Sequence, residues 1–580
     1  MLKLSTTSLV TSLVCCGLAA ALSGCSSSGS GNSGSDGGDS GSTGGRGGTG
    51  GAPTKLPPVK DSGTEPDGKA DAEAGPSRPK GAPPEVTQYA KDWPLANRDY
   101  QATRATTDAT ISKANVRKLA EAWKFELPGG SDYGAAVAAP IVLGDTVYFE
   151  DSASDVYAID LATGAQKWQK KYNGPSPGPN GVAVGWGKVF ATSSDHSFVA
   201  LDIASGKELW KSPLTIPKSG GIDVQPVAYD GLVYIGTVPV NSNGAYTGGT
   251  AGILYALDEE TGAIVWQFDT VDSKDIWGNA TVNSGGGSWY PPTVDVATGM
   301  VFFGTGNAAP YPGTAAFPNG SSRPGADLYS SSVVALGADD GKLAWYYQDA
   351  PHNLFDLDFQ CPPIIVSATI DGGEHHVVIG SGKTGAVVAL DETTGKRLWR
   401  TPVGKHQNDD AQEVPDAGLE VFPGSLGGVE TPPAYADGVI YVPIVNLGTA
   451  YTPAGGTPDQ TGTGELVALD VTTGKPIWDK TDLPNLAIGA ATVVNDVVLT
   501  TTFDGTLFAV DRATGKQLFS YLAPAGINAP LSVVGDTVLV PAGTGLGVPY
   551  LVALRPTNKD AGPLPEAGAP DASADAGRDH

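Results

Sequence analysis

The sequence predicts an all-β fold: an eight-bladed β-propeller with four-stranded blades, whose ring is closed by the N- and C-terminal strands in one blade. Three observations predict it. A short hairpin pattern recurs along the chain, the recurrences are far enough apart for four strands each, and half of the pattern stands at each end of the repeated region. Because a single hairpin cannot bury its own apolar face, such repetition is typical of stacked or circular arrays.

The repeated unit is a strand, a tight turn and a returning strand marked by an aromatic residue. In residues 156–168, apolar positions alternate up to Asp160, whose carboxylate suits a turn. Gly164 permits the positive φ that the turn requires, and Trp168 offers a large flat surface to a neighbouring unit. Gly337 replaces the Asp in one copy. The other copies are residues 198–210, 254–266, 333–345, 387–399, 466–478 and, with Phe replacing Trp, 507–519.

The two ends of the repeated region complete each other. Trp123 lies in a returning strand with no hairpin before it, and residues 550–554 form an outgoing strand with no Trp after it. If these strands share one sheet, the ring closes with eight aromatic residues. These are Trp123, Trp168, Trp210, Trp266, Trp345, Trp399, Trp478 and Phe519.

Composition excludes one class of partner. The net charge is −26, and only 17% of the residues are charged. Nucleic-acid binding requires clustered Lys and Arg to neutralise phosphates, so we expect no nucleic-acid partner.

The N-terminal region has the pattern of a bacterial lipoprotein. Residues 1–24 predict a signal peptide, and Leu22-Ser-Gly-Cys25 resembles a lipobox that would place a lipid anchor on Cys25. An ordinary signal peptide or a short membrane anchor is the alternative. Residues 25–86 predict a disordered, lipidated Gly/Ser/Pro-rich tether, residues 87–556 the propeller and residues 557–580 a disordered tail. We therefore expect a cell-envelope protein, anchored in the outer membrane and facing the periplasm or the cell surface.

Several suggestive patterns are better explained by structure than by chemistry. With Cys25 lipidated, Cys361 stands alone after the signal, so no internal disulfide is expected, and its apolar context predicts a buried small residue. Residues 380–384 resemble the end of a phosphate-binding loop, but a strand follows where a helix is required, which favours a turn. The acids of residues 409–410 and of Asp356-x-Asp358 have the ligand type for a cation, and we interpret them as solvated loop acids.

Two blades carry long insertions, around residues 271–331 and 401–463. Insertions in repeat arrays usually collect on one face, so that face is where we expect a functional site.

The repeat Ala-x-Asp-x-x-Thr-Gly-x-x-x-Trp is similar to the tryptophan-docking motif of the quinoprotein alcohol dehydrogenases. Residues 285–289, 303–307 and 323–329 resemble that family's central landmarks, and the similarity runs from about Trp93 to Leu554. The resemblance implies a pyrroloquinoline quinone (PQQ) on a Trp floor beside Ca²⁺, with an Asp as general base and an alcohol as the hydride donor.

Three positions retain the residues that the resemblance implies. Trp289 matches the floor tryptophan, Asn307 a calcium ligand and Lys383 the basic residue beside the quinone oxygens. They are the candidate cofactor-binding and metal-binding residues.

Other positions depart from the family pattern. The adjacent cysteines that form a disulfide in the family fall near Gly174-Pro175, so that disulfide is lost. The family's neighbouring Arg is Asn180, and its calcium-binding Glu falls near Thr247. The catalytic Asp aligns with Ala326. Asp327, one position later, is the remaining candidate base, although a shift of one residue in extended chain normally points a side chain the other way.

Two functions therefore stand side by side. One is an envelope oxidoreductase that uses PQQ and Ca²⁺ to oxidise a small-molecule alcohol at a divergent site, supported by Trp289, Asn307 and Lys383. The other is a non-enzymatic propeller scaffold that binds protein or polymer partners in the envelope, similar to the outer-membrane assembly lipoproteins that share the repeat. Ala326, Asn180 and the lost disulfide support the second.

Overall fold

The computed structural model describes residues 78–558, apart from residues 132, 177, 194–196, 215–219, 240–247, 273 and 546. The predicted signal peptide, Cys25, most of the predicted tether, Thr247 and most of the predicted tail lie outside the described residues. Within them almost all of the regular secondary structure is β-strand, as predicted.

Eight antiparallel sheets, which we number in chain order, account for most of the described strands. Each contains four main strands, and the strand order is sequential in sheets 1 to 7. The strands of sheets 1 to 4 are, in turn, Ile141–Leu143, Thr146–Glu150, Val156–Asp160 and Gln166–Lys170; Ala183–Gly185, Lys188–Thr192, Ser197–Asp202 and Glu208–Pro213; Val227–Tyr229, Leu232–Val238, Ile253–Asp258 and Ile264–Asp269; and Thr293–Asp295, Met300–Gly304, Ser332–Gly337 and Leu343–Gln348.

The remaining sheets follow the same plan, and sheet 8 takes its fourth strand from the N-terminal side. The strands of sheets 5 to 8 are Ile364–Ile370, Gly373–Gly382, Ala386–Asp391 and Arg397–Pro402; Ala434–Ala436, Val439–Asn446, Thr463–Asp470 and Pro476–Leu483; Thr492–Val494, Val497–Thr501, Thr506–Asp511 and Gln517–Leu522; and Ser532–Val534, Thr537–Ala542, Tyr550–Pro556 and Leu119–Glu126. Trp123 pairs with Ala553 and Glu126 with Tyr550 in this last sheet.

Short elements complete the described structure. Ala105–Thr106 pairs in parallel with the first strand of sheet 7, and Gly221–Ile222 pairs with the second strand of sheet 3. The helices are Pro84–Gln88, Lys274–Trp277 and the 3-10 turn Val116–Lys118. Two small sheets are formed by Ser284–Gly285 with Ala308–Ala309, and by Leu419–Val421, Thr449–Thr452 and Gly455–Pro458.

Each docking tryptophan contacts the turn of the following repeat. Trp168 Nε1 donates a hydrogen bond to the Ile203 carbonyl at 3.0 Å, and its ring covers Gly206, where a Cβ would lie 2.6 Å from the ring. That glycine has φ +68°, so both its conformation and the close approach require the absence of a side chain. The pairs are Trp123–Gly164, Trp168–Gly206, Trp210–Gly262, Trp266–Gly341, Trp345–Gly395, Trp399–Gly474 and Trp478–Gly515.

The turn that lacks the repeated Asp is repaired locally. At Gly337, a Cβ would lie 2.5 Å from Asp340 Oδ1, which accepts the Lys342 N–H at 3.1 Å. The carboxylate of Asp340 therefore supplies the turn acceptor from a different position.

Apolar clusters join every sheet to the next one in chain order. Sheets 1 and 2 share a cluster around Val156 and Val199, and sheets 4 and 5 share one around Phe302 and Val388. The largest cluster joins sheets 7, 8 and 1, so the last sheet packs against the first. Burial of these faces stabilises each sheet through its neighbours.

The N-terminal residues 81–106, which we call the strap, run along the first strands of the eight sheets. Arg104 is fully buried and lies over the Trp93 ring. The strap contacts the first strand of every sheet or the residue beside it, through Trp93 with Val142, Glu85 with Trp186, Tyr100 with Ala228 and Val294, Gln101 with Ile365, Thr103 with Tyr435, and Arg104 with Val493 and Leu531.

Three smaller predictions meet the structure directly. Cys361 is 1% exposed, as predicted. Gly380 to Gly382 end a strand, and a turn leads straight into the next strand at Ala386, so the phosphate-loop resemblance is a turn. In the part of the chain that the structure describes, the helices are all too short or too polar to span a bilayer.

Candidate functional site

A cavity, called here the inner cavity, lies where the segments leading into several first strands meet the strap. Gln225 ties two of these segments together, because its amide donates hydrogen bonds to the Ala139 carbonyl at 3.0 Å and to the Val182 carbonyl at 2.9 Å. The residues lining the cavity are Ala96, Asn97, Val137, Ala139, Pro179, Asn180, Gln225, Trp289, Tyr290, Pro291, Pro432 and Pro530.

Trp289 presents a half-buried indole to this cavity. A Cβ built on Gly306 would lie 3.0 Å from Trp289 Nε1 and 3.0 Å from Asp358 Oδ1, so a side chain at this position would crowd both groups. The predicted floor tryptophan therefore lies close to the segment that carries Asn307.

Asp358 is the centre of the predicted site. Its Oδ1 accepts the main-chain N–H of Asn307 at 2.6 Å, and its Oδ2 lies 2.7 Å from Lys383 Nζ. The structure thus brings Trp289, Asn307 and Lys383 together around a carboxylate that we had interpreted as solvated.

That interpretation of Asp356 and Asp358 is wrong. Their side chains are 13% and 2% exposed, and Lys383 Nζ lies 3.3 Å from Asp356 Oδ2. The cause is long-range packing. Tyr451, from the second insertion, packs against Phe355 with ring centroids 4.8 Å apart and covers the chain between the two acids.

The two insertions meet at this place. The Asn319 N–H donates to the Pro453 carbonyl at 3.2 Å, and the Val414 N–H donates to Asn319 Oδ1 at 3.0 Å. Trp289 and Asn307 lie in the first insertion, and Glu430 in the second. Both insertions therefore contribute residues to the candidate site.

Charge in the site is unbalanced toward carboxylates. Burial lowers the pKa of Lys383, but Asp356, Asp358 and Glu430 outweigh it and raise that pKa well above its ordinary value. Burial raises the pKa of Asp356. It also raises the pKa of Glu430 to about 8, although Lys383 partly offsets the rise. Glu430 Oε2 is buried, with no hydrogen-bond partner among the described residues.

Asp327 has a different set of contacts. It is fully buried, its Oδ2 lies 2.5 Å from Arg323 Nη1, and Arg323 also donates to the Pro310 and Asn353 carbonyls. Its φ of +59° places it in a left-handed turn. Asp327 is therefore engaged in a structural ion pair, while the neighbouring Ala326 carries only a methyl group.

Asn180 occupies the cavity wall in place of a charged residue. It is 1% exposed, and its Nδ2 donates to the Asp151 carbonyl at 2.8 Å. Its Oδ1 is buried, with no hydrogen-bond partner among the described residues, and is free to accept a bond from a ligand.

A family model described as the glucose/ethanol/alcohol dehydrogenase β-propeller domain matches residues 93–185 and 215–414, which together make up just over half of the chain. The chain belongs to this family. A second model, described as outer membrane protein assembly factor BamB, matches residues 383–558 of this family member.

Relatives of this dehydrogenase-family chain include the quinohemoprotein alcohol dehydrogenase of Comamonas testosteroni, 28% identical over 544 residues, covering 81% of this chain and 74% of the relative. The quinoprotein alcohol dehydrogenase PedH of Pseudomonas putida is 28% identical over 510 residues, covering 75% and 83%. The solved structure of the Comamonas enzyme matches with a TM-score of 0.70 at 25% identity over 83% of each chain. A europium-containing methanol dehydrogenase matches in fold, with a TM-score of 0.69 at 22% identity over 81% of this chain and 99% of its own.

Trp289 offers an aromatic face at the inner cavity on which a flat cofactor such as PQQ could stack. The Lys383 ammonium lies outside the cavity lining, beside Asp358.

The described residues do not make up a complete calcium site. Asn307 donates its Nδ2 to the Ala308 carbonyl at 3.0 Å, which leaves its Oδ1 as a possible ligand, but Ala326 supplies no oxygen ligand from its side chain. Among the residues that the structure describes, no three His, Cys, Asp or Glu side chains form a metal-holding group.

Proposed function

We propose that this chain is a PQQ-dependent alcohol oxidoreductase of the cell envelope with a divergent site. One observation carries the proposal: Trp289, Asn307 and Lys383, which the family resemblance assigns to the cofactor site, gather around Asp358 beside the inner cavity. The relatives that are named alcohol dehydrogenases support the same reaction.

The bound quinone would supply the hydride acceptor. Trp289 would stack on its face, and Lys383 Nζ would donate to one of its oxygens. Glu430 is a second candidate to take the alcohol proton, beside Asp327, which is paired with Arg323. Its Oε2 has no hydrogen-bond partner among the described residues, and burial raises its pKa to about 8, so it would act as a base only once it is ionised, above neutral pH.

We also propose that the eight sheets are the blades of one closed ring. The packing of sheets 7, 8 and 1 in a single cluster supports closure, as does the pairing of Leu119–Glu126 with Tyr550–Pro556. The strap, residues 81–106, contacts the first strand of every sheet or the residue beside it. This is the arrangement expected if the eight sheets surround it.

For the location, we propose a lipid anchor on Cys25 and an outer-membrane position, supported by the lipobox-like residues 22–25 and the apolar run before them. This places the reaction outside the cytoplasm. In the part of the chain that the structure describes, no Cys-x-x-Cys-His haem attachment sequence occurs.

Reconstitution tests the proposal. Purified protein should bind PQQ at one equivalent and then oxidise primary alcohols with an artificial dye as electron acceptor. Trp289→Ala should lose PQQ binding and keep the melting temperature of the parent. The control is Trp186→Ala, which changes a half-buried tryptophan in a turn of sheet 2 and should keep PQQ binding. In a separate test of the lipid anchor, the native protein should partition into the detergent phase because of the lipid on Cys25. Absence of PQQ binding would overturn the oxidoreductase proposal.

The second candidate is a non-enzymatic scaffold for envelope partners. Ala326 at the expected base position and the Arg323–Asp327 ion pair favour it, as does the match of residues 383–558 to the assembly-factor model. Absence of PQQ binding together with retention of specific envelope proteins on the immobilised chain would favour this function instead.

A further inference from the structure

Two turns of the repeated unit place a glutamate against the preceding sheet. Trp210 Nε1 donates to the Glu259 carbonyl at 3.1 Å, and Trp345 Nε1 donates to the Glu392 carbonyl at 2.7 Å, so the two glutamates hold the same position in their turns. Glu259 lies at the contact between sheets 2 and 3, and Glu392 at the contact between sheets 4 and 5; we call each such contact a seam. Both side chains are buried, so each requires a partner within its seam.

The preceding sheet offers different partners at the two seams. Lys188 Nζ lies 2.8 Å from Glu259 Oε2, so an ion pair closes the seam between sheets 2 and 3. Lys188 begins the second strand of sheet 2 and pairs with Gly185, the last residue of the first strand. At the same two positions of sheet 4, Met300 pairs with Asp295. The seam between sheets 4 and 5 therefore has a methionine in place of the lysine and a second carboxyl group in place of the glycine.

Thr298 lies between the two carboxyl groups of this seam. Its Oγ1 lies 2.5 Å from Asp295 Oδ2 and 3.3 Å from Glu392 Oε1. A hydroxyl group has one proton and donates to one of them at a time. Glu392 Oε2 is buried, with no amide, ammonium or hydroxyl donor among the described residues. Neither carboxyl group forms an ion pair in the described part of the chain, so a proton is needed to hold the two together.

The pKa values of the pair agree with one shared proton. Burial, and then the hydrogen bond with Asp295, raise the pKa of Glu392 to about 7. Burial opposes the charge on Asp295, but hydrogen bonds from Glu392 and Thr298 outweigh it and lower the pKa of Asp295. Between pH 4.5, the ordinary pKa of glutamate, and pH 7, the folded pair therefore holds a proton that the unfolded chain has released.

We propose that a proton shared by Glu392 and Asp295, which we call the proton clasp, holds sheet 4 against sheet 5, and that this seam loosens when the proton is lost above neutral pH. The same two sheets carry the candidate site, because Asn307 follows the second strand of sheet 4 and Lys383 follows the second strand of sheet 5. The clasp therefore makes the packing around the candidate site depend on pH. This inference does not rest on PQQ binding.

The other ionisable groups near the clasp come from its own turn and from two strands. Asp391, beside Glu392, stays ionised because hydrogen bonds from Thr394 lower its pKa, and its charge favours the protonated clasp. His375 Nδ1 lies 3.6 Å from Asp391 Oδ2. Burial raises the pKa of Tyr229, near the clasp, so this phenol stays neutral. Histidine is the neighbour that ordinarily titrates in the same pH range, and the test must separate its effect.

Amide hydrogen exchange of the unmodified protein tests the clasp from pH 5 to 9, with rates corrected for the intrinsic effect of pH. Protection of Thr293–Asp295 and of residues 391–395 should fall about tenfold or more between pH 5 and pH 8, because loss of the proton leaves two buried like charges in contact. Ala183–Gly185 and residues 258–262, at the seam closed by the ion pair, should keep their protection over this range.

Three variants separate the clasp from its neighbours. Glu392→Gln keeps a side chain that donates to Asp295 but does not titrate, so the seam should be as protected at pH 8 as at pH 5. Met300→Lys places an ammonium group where Lys188 stands in sheet 2 and should also remove the pH response. His375→Gln is the matched control and should respond to pH as the parent does.

Each contrary outcome is distinct. An equal response of the two seams, or a response that persists in folded Glu392→Gln, would overturn the proton clasp. Loss of the response in His375→Gln would assign it to that histidine instead, and one Ca²⁺ bound per parent chain but absent from Glu392→Gln would show that a metal ion fills the seam. If the variants fail to fold, the comparison of the two seams in the unmodified protein still decides. None of these outcomes bears on the oxidoreductase proposal, which is decided by PQQ binding.

Discussion

Buried carboxyl groups outside the site set the pH response of this chain at the residue scale. Glu150 is fully buried; Thr192 Oγ1 donates to its Oε1, while Oε2 has no hydrogen-bond partner among the described residues. Burial raises the pKa of Glu150 to about 8. Asp223 is also fully buried, and its carboxylate lies against Gly178. Burial raises its pKa well above the ordinary value. With a pKa of about 8, Glu150 is protonated in the folded state at neutral pH.

Glu150→Gln tests this directly. The folded pKa of about 8 lies above the ordinary 4.5, so the unfolded state releases the proton first. The stability that protonated Glu150 contributes to the parent is then fully present below pH 4.5 and is lost as the pH rises to about 8. The variant carries no such proton. Its free energy of unfolding relative to the parent should rise by roughly 1 kcal/mol per pH unit in this range and level off above it. Urea unfolding from pH 4 to 9 measures the slope.

Glu260→Gln, at a side chain 69% exposed, is the control and should show no comparable slope. A flat difference between Glu150→Gln and the parent would mean that Glu150 is ionised in the folded protein.

How much of the site the sequence predicts depends on the kind of residue. Trp289, Asn307 and Lys383 stand in recognisable segments, so their proximity could be anticipated. Asp358 could not be anticipated, because loop acids are usually solvated, and the apolar cluster that buries these two includes Tyr451, nearly a hundred residues away. The ion pair of Asp327 with Arg323 could not be anticipated either, because it depends on side-chain packing.

At the element scale, the tryptophan–glycine contact makes each repeat depend on the next. The sequence predicts the hairpin, the positive-φ glycine and a flat ring facing a neighbour. It does not predict that Trp345 covers Gly395 of the following sheet while its Nε1 bonds to the Glu392 carbonyl at 2.7 Å. The pairing of this ring with a glycine of the following sheet depends on how whole sheets pack, and the sequence of a single repeat does not specify that packing.

Two glycines of sheet 5 separate the effect of this contact from backbone strain. Gly395 and Gly372 have φ of +68° and +81°, but a Cβ on Gly395 would lie 2.6 Å from the Trp345 ring, while Gly372 has open space. Gly372→Ala should cost about 1 kcal/mol of unfolding free energy through its left-handed backbone. Gly395→Ala should cost about 1–3 kcal/mol more, because the ring must move. Chemical denaturation measures both. Equal losses would show that the ring contact contributes nothing.

At the scale of the whole molecule, the chain ends are joined by sheet 8. Leu119–Glu126 pairs with Tyr550–Pro556 across more than 400 residues of sequence, and the adjoining cluster includes side chains from sheets 7, 8 and 1. Bringing such distant segments together costs loop-closure entropy that grows slowly with length, so this pairing is affordable once the intervening sheets are stacked. The sequence predicts the pairing from two incomplete repeats. The strap contains no repeat, so its position along the first strands could not be predicted in the same way.

Two truncations test the importance of this junction. A chain ending at Asn558 keeps all four strands of sheet 8, and its melting temperature should equal that of the full chain. A chain ending at Pro549 loses Tyr550–Pro556, leaving Leu119–Glu126 without its partner and exposing the apolar cluster between sheets 7, 8 and 1. Because each sheet is stabilised mainly through its neighbours, this loss should lower the melting temperature and broaden the transition across the molecule. Differential scanning calorimetry distinguishes the outcomes. A sharp, unshifted transition in the shorter chain would mean that the sheets hold together without the terminal strands, and the closed ring would then lose its main physical support.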